Sequence, residues 1–270
     1  MLKITSRDNQ RIKYAKKVYD GREKDAVFVE GVRLAEEITR SDLKIYDVLY
    51  TEIFRQTQRG SSFLEKIKNS NANIAEVSDK IFNSLSDTKH SQGVIVISAK
   101  PETGKEVIEI NLQNNNRRFP LVVLLHQINN PTNLGAILRT AEAVDVSGVI
   151  TTKNSADVFS PKALRGAMGA SFRLPMWSDA DFFDVLGWAS EKNFTSVCAD
   201  VNAQKSYLEI DWKKSRLLIF GSEAHGLSAE ERSEIDESLI IPMENNVESL
   251  NLAVSCGVIL FEARRQIIEV

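Results

Sequence analysis

Residues 121–128, LVVLLHQI, run without pause into residues 129–141, NNPTNLGAILRTA. The first stretch is almost continuously apolar, the pattern of a strand covered on both faces. Pro131 suits the first turn of a helix, where its missing N–H leaves no bond unmade, and the helical period carries on to Val144. A buried strand that delivers a helix through a polar, glycine-containing turn is the repeating unit of an α/β sheet. Ligands bind such sheets at the carboxyl ends of the strands.

The pattern recurs downstream. Strands are expected at 148–151, 195–199, 216–220 and 239–241, and helices at 161–170, 181–192 and 250–268. Ser228 with Glu231 reads as a capping box that opens a further short helix. Upstream, strands at 26–30, 45–50, 74–77 and 93–99 alternate with helices at 9–20, 32–40, 63–69 and 79–85, which makes a smaller α/β domain. The polar stretch 100–119, with Pro101, Gly104 and an Asn/Arg cluster, reads as the joint. The division is therefore 1–105, a linker at 106–118, and 119–270.

In a chain of 270 residues with 43% apolar and 26% charged residues, the balance is that of a soluble globular protein. No apolar run reaches the twenty or so residues of a membrane span, and the N-terminus lacks an apolar signal core. Cys198 and Cys256 lie far apart in apolar surroundings, as buried reduced thiols do, and a cytoplasmic setting is expected. His90, His126 and His225 have no metal-ligand spacing, so no metal is expected.

Charge is unevenly spread. Residues 1–105 hold 19 basic against 15 acidic side chains, while the whole chain carries −3. The excess concentrates at the N-terminus, in Arg11, Lys13, Lys16, Lys17 and Arg22. Such a run suits a polyanion such as RNA, and equally a solvated helix face.

Three polar stretches each follow an apolar strand: 129–141, 220–228 (FGSEAHGLS) and 241–253 (IPMENNVESLNLA). In the first, Gly135 and Ala136 permit close packing, and Asn133 and Arg139 have the spacing of a site or of an ordinary helix surface. Gly221, directly after its strand, permits tight backbone approach, and Glu223 is the one carboxylate before Gly226. Ser249 and Asn251 flank Leu250 at a helix entrance, where they can cap the helix or hold a ligand. Asn245 and Asn246 tolerate left-handed turns. Dinucleotide, phosphate-loop and serine-hydrolase signatures are all missing from the sequence.

Together the three stretches resemble the three motifs of the SpoU-type RNA methyltransferases, the TrmH branch of the SPOUT superfamily. The first is carried by Asn133, Gly135, Ala136, Ile137, Arg139, Thr140 and Ala141, and the second by Gly221, Glu223, Gly226 and Leu227. The third is carried by Ile241, Pro242, Met243, Glu248, Ser249, Leu250, Asn251 and Val254, with Asn245 at the family's usual glycine. The N-terminal part resembles the family's substrate-binding domain through residues 4–6, 28–31 and 92–93.

The resemblance implies an α/β fold. A C-terminal, trefoil-knotted parallel-sheet methyltransferase domain is joined to a smaller N-terminal α/β RNA-binding domain. It implies S-adenosylmethionine held by Gly221, Ile241 and Leu250 with Ser249 and Asn251 nearby. Arg139, Glu223, Ser249, Asn251 and Asn133 correspond to the polar catalytic site, in a homodimer with the site near its interface. The implied reaction is methylation of a ribose 2′-hydroxyl, on ribosomal RNA in preference to transfer RNA. A guanidinium stays protonated at neutral pH, so Arg139 is read as the cation that orients a phosphate and steadies the developing alkoxide. Glu223 then orients Arg139 or accepts the proton. The rivals are a non-catalytic RNA-binding protein that retains the fold, a base-nitrogen methylase, and a small-molecule enzyme.

Overall fold

Leu121–Leu125, wholly buried, forms the sixth of eleven strands in the computed structural model, which describes residues 2–86, 88, 91–115, 117–245 and 247–268. His90 and Asn246 fall outside the described residues. The chain divides into two compact units: Met1–Pro101 with Phe159–Arg173, and Glu102–Val158 with Leu174–Val270.

In the first unit the elements run β1 (Leu2–Ile4), α1 (Gln10–Tyr19), β2 (Ala26–Glu30), α2 (Val32–Ile38) and β3 (Ile45–Tyr50). Then follow α3 (Glu52–Gln56), α4 (Gln58–Ile67), β4 (Asn73–Val77), α5 (Asp79–Leu85) and β5 (Val94–Ala99). The sheet order is β1-β4-β3-β5-β2, parallel between β1, β4 and β3 and antiparallel where β5 pairs with β3 and β2. Ile12, Ala15 and Val18, the stripe expected on α1, are buried in its core beside Phe28 and Phe82.

The second unit begins with α6 (Lys105–Asn115), where the sequence reads as a linker. Ile108 alone is fully buried on that helix, and so sparse an apolar face leaves little periodic signal. It continues through β6 (Leu121–Leu125), α7 (Pro131–Ala143) and β7 (Gly148–Thr152). The chain then crosses to the first unit for α8 (Pro161–Ala167), where Arg173 pairs with Glu37 and Lys100 lies over the Phe159 ring. It returns for β8 (Met176–Ala180), α9 (Phe182–Glu191), β9 (Thr195–Ala199), β10 (Arg216–Phe220), α10 (Ala229–Ser233), β11 (Glu237–Leu239) and α11 (Leu252–Ile268).

All six strands of the second sheet are parallel, in the order β11-β9-β10-β6-β7-β8. From β6 the chain builds β7 and β8 on one side and the later strands on the other. The order therefore reverses between β6 and β10, the position where open parallel sheets form their crevice. Val122, Leu124, Leu217 and Ile219 pack with Trp188 and Phe194 in one core cluster, and α7 packs against α11.

Candidate active site

The crevice holds a cavity of about 590 Å3 at the carboxyl ends of β11, β9 and β10 that reaches Asn133 of α7, within the usual range of ligand pockets. Each of the three polar stretches contributes to its wall. Asn133, Gly221, Glu223, Ile241, Ser249, Leu250 and Asn251 all line it.

Asn133 lies in the first turn of α7, which starts where expected, with Asn130 capping Thr132 N–H and Pro131 following. Its amide donates to Glu223 Oε1, and its side-chain oxygen accepts from Asn251 Nδ2 at 3.2 Å. One asparagine thus ties the first stretch to both of the others.

The second stretch is a closed turn. Ser222 and Gly226 exchange two backbone hydrogen bonds, 3.2 and 2.8 Å long, and Gly226 has φ 64°. A Cβ on Gly221 would fall 2.6 Å from the carbonyl carbon of Gly226, so the turn closes only over glycine. Ser228 and Glu231 form the expected capping box on α10.

Asn251 is the residue before α11, and its Oδ1 accepts from Ala253 N–H at 2.9 Å and Val254 N–H at 3.3 Å. Capping and cavity lining are therefore both true of it. Asn245 adopts φ 57°, the left-handed conformation that its place in the motif demands.

Arg139 stands apart. It is exposed on α7, does not line the cavity, and makes no ion pair with any described residue. Within one chain Glu223 is bonded to Asn133 rather than to Arg139.

The N-terminal cations are all engaged. Arg11 is held by Asp47 and by the Asn73 carbonyl and anchors α1 to the sheet. Lys13, Lys16, Lys17 and Arg22 are more exposed and pair with Asp8, Asp20, Glu23 and Asp20. Exposed pairs of this kind are worth little and exchange readily for other anions.

Sequence reasoning passed over Asp200 and Asn202, which line the cavity just beyond β9, and Arg232, whose guanidinium holds Asp200 at 2.9 Å. Their signal was positional, since they follow a parallel strand at its carboxyl end. His225, which has no metal-ligand spacing in the sequence, also lines the cavity. Among the described residues no cluster could hold a metal, and no helix is long and apolar enough to cross a membrane.

Residues 120–261 match the model of the SpoU rRNA Methylase family, and residues 9–96 match the MRM3-like substrate binding domain. The chain belongs to the SpoU methylase family. It is 31% identical to the 23S rRNA (guanosine-2'-O-)-methyltransferase RlmB of Coxiella burnetii, over 81% of this chain and 87% of that one. An AdoMet-bound rRNA methyltransferase from Sinorhizobium meliloti superposes with a TM-score of 0.84 at 26% identity, covering 97% of each chain. A solved RNA 2'-O ribose methyltransferase gives a TM-score of 0.80 at 25% identity, over 99% of this chain and all of that one.

The SpoU enzyme described here is therefore a methyltransferase with the SPOUT α/β fold, and S-adenosylmethionine is its cofactor. The cavity fits that group. Phe220, Leu239 and Ile241 offer apolar surface for a flat base, while Asp200, Asn202 and Ser249 offer polar atoms for a sugar and a charged tail.

Proposed function

We propose that this chain methylates a ribose 2′-hydroxyl of large-subunit ribosomal RNA, as a homodimer. The observation that carries the chemistry is the Asn251–Asn133–Glu223 chain of hydrogen bonds, which brings all three motifs to one cavity wall. The cofactor supplies a methyl group activated on a sulfonium. The protein's part is alignment of the hydroxyl and disposal of its proton. Asn133 and Asn251 fix Glu223 at the wall, where its carboxylate accepts the hydroxyl proton or orients the group that does. Ribosomal RNA as substrate rests on the likeness to RlmB, and RNA contact by the first unit rests on the substrate-binding match over residues 9–96. Lys13, Lys16, Lys17 and Arg22 are the side chains offered to phosphates, with Arg11 buttressing their helix.

The dimer reading rests on α11. Val254, Phe261 and Ile268 recur every seven residues along it and are 52%, 58% and 60% exposed. A second copy covers that stripe, and Arg139 on the adjoining α7 completes a site shared between the two chains. There its permanent charge orients the target phosphate.

Tritiated S-adenosylmethionine and total RNA, ribosomal and transfer, from a strain lacking the gene test the reaction. Label is expected in an alkali-resistant dinucleotide from the large-subunit RNA. Label in an alkali-sensitive product, or in transfer RNA alone, overturns the reading.

A further inference from the structure

His126 follows β6 directly and is only 5% exposed. Its Nε2 lies 3.0 Å from Glu231 Oε1 on α10, and the other oxygen of that carboxylate accepts Ser228 N–H at 2.7 Å. Its Nδ1 lies 3.2 Å from Thr152 Oγ1 at the end of β7, and that oxygen accepts Gln127 N–H at 3.0 Å. The edge of the contact is closed by Phe182 of α9, with ring centroids 4.8 Å apart.

The donors can be assigned. A carboxylate only accepts, so Nε2 carries the hydrogen, and Nδ1 of the neutral ring accepts from the Thr152 hydroxyl at 3.2 Å, which the Lys153 carbonyl also faces at 3.3 Å. One unbroken line of bonds runs Gln127–Thr152–His126–Glu231–Ser228. Its first end is the opening of the loop that leads to Asn133, and its second is the close of the turn that carries Glu223. Gln127 has φ 53°, a backbone state that a non-glycine residue keeps only where neighbours hold it. Ser155 Oγ, which accepts Ile128 N–H at 3.2 Å, and Ile128 O, which accepts Ala156 N–H at 2.8 Å, extend the hold.

We propose that His126 is a positioning residue: by bridging Thr152 and Glu231 it sets the spacing at which the Asn133 loop meets the Glu223 turn. The inference rests on the reading of this cavity as the methyl-donor site. Among the described residues Glu231 is the ring's only charged partner, and burial outweighs its pull, so the imidazole titrates below its ordinary range and stays neutral.

Hydrogen exchange of the 221–228 amides, measured without cofactor, tests the spacing directly, and calorimetry with S-adenosylmethionine tests its consequence. His126→Phe keeps the packing against Phe182 and loses both polar ties. Exchange in that turn should quicken about tenfold and cofactor affinity fall about tenfold, while KM for RNA changes less than about twofold. His126→Gln, whose terminal amide can still donate to Glu231, should recover both readings to within about threefold. Glu231→Ala should repeat the His126→Phe signature, and it stands in should that variant lose its circular dichroism. Unchanged exchange and affinity in His126→Phe and Glu231→Ala, or a His126→Gln variant as impaired as His126→Phe, overturn the proposal. Wild-type protein that binds no S-adenosylmethionine would sink the site reading instead, and the exchange data would still decide the role of His126.

Discussion

Asn251 and Asn133, 118 residues apart in sequence, are joined by a 3.2 Å hydrogen bond from the first amide to the oxygen of the second. The same Asn133 then donates to Glu223. Among side chains of this size only a primary amide both accepts on one atom and donates on the other, which is why the position is asparagine.

Asn133→Asp keeps the shape and removes the donor, and it sets a second carboxylate against Glu223. Methyl transfer should fall by about a hundredfold, in line with the loss of a positioned polar group at a reacting centre. Melting should shift only slightly, because the residue is not in the core. Tritium transfer beside a melting curve measures both. Activity within about threefold of wild type would detach this bond from catalysis.

Asn251 has two tasks that can be separated. Asn251→Asp retains the acceptor that caps α11 and loses the donor toward Asn133, so stability should hold while activity drops. Asn251→Ala loses both and should cost about 1 kcal/mol in addition. Denaturation and kinetics on the two variants must diverge in this way; equal loss of stability in both would refute the division.

Where apolar periodicity was dense, the sequence was legible. Leu121–Leu125, Thr195–Ala199 and Arg216–Phe220 are near-continuous buried strands, and the Pro131 and Ser228 signals mark helix starts that the fold contains. Legibility failed where tertiary context supplied the reason for structure. Leu2–Ile4 and Met176–Ala180 are strands with exposed positions and weak patterns, and Lys105–Asn115 buries essentially one side chain. In the site, motif spacing named the cavity wall from all three stretches. It could not show that Asn133 takes the Glu223 bond in place of Arg139, because a hydrogen bond between residues 90 apart leaves no local trace. Nor could it show that four of the N-terminal cations have acidic partners within their own helix or its flanks, or that Arg11 reaches Asp47.

Gly221 is a steric requirement. Gly221→Ala drives a methyl into the backbone of Gly226 and Leu227, at 2.6 and 2.8 Å, neither of which is a side chain that can swing away. The turn must open, and cofactor affinity should fall at least about tenfold with little change in far-ultraviolet dichroism. Calorimetry reads this directly. Wild-type affinity in the variant would mean that the turn is not part of the cofactor site.

The stripe on α11 and the isolation of Arg139 make a joint prediction. Phe261→Glu should yield a monomer in sedimentation, with methyl transfer lost although its own cavity is intact. Coexpressed Arg139→Ala and Glu223→Ala chains, each inactive alone, should regain about a quarter of wild-type activity, because half of the dimers then hold one complete site. Mixtures no more active than their parts would confine the site to a single chain.

His126 also predicts a pH dependence with a definite sign. Burial lowers its folded-state pKa beneath the ordinary 6.5, and the partial counter-pull of Glu231 does not reverse that. The unfolded chain therefore takes up the proton first as the medium is acidified. The stability this group contributes is complete above about pH 6.5 and is lost as pH falls toward its folded value. Glu237, which burial would raise but Lys205 and Arg216 lower, contributes above about 4.5 and erodes only further down. The decline that begins just below about pH 6.5, above the carboxylate range, thus belongs to His126. Chemical denaturation at several pH values should show wild-type stability declining there and His126→Gln declining less. Parallel curves for the two proteins would show that the imidazole is not held neutral by the fold.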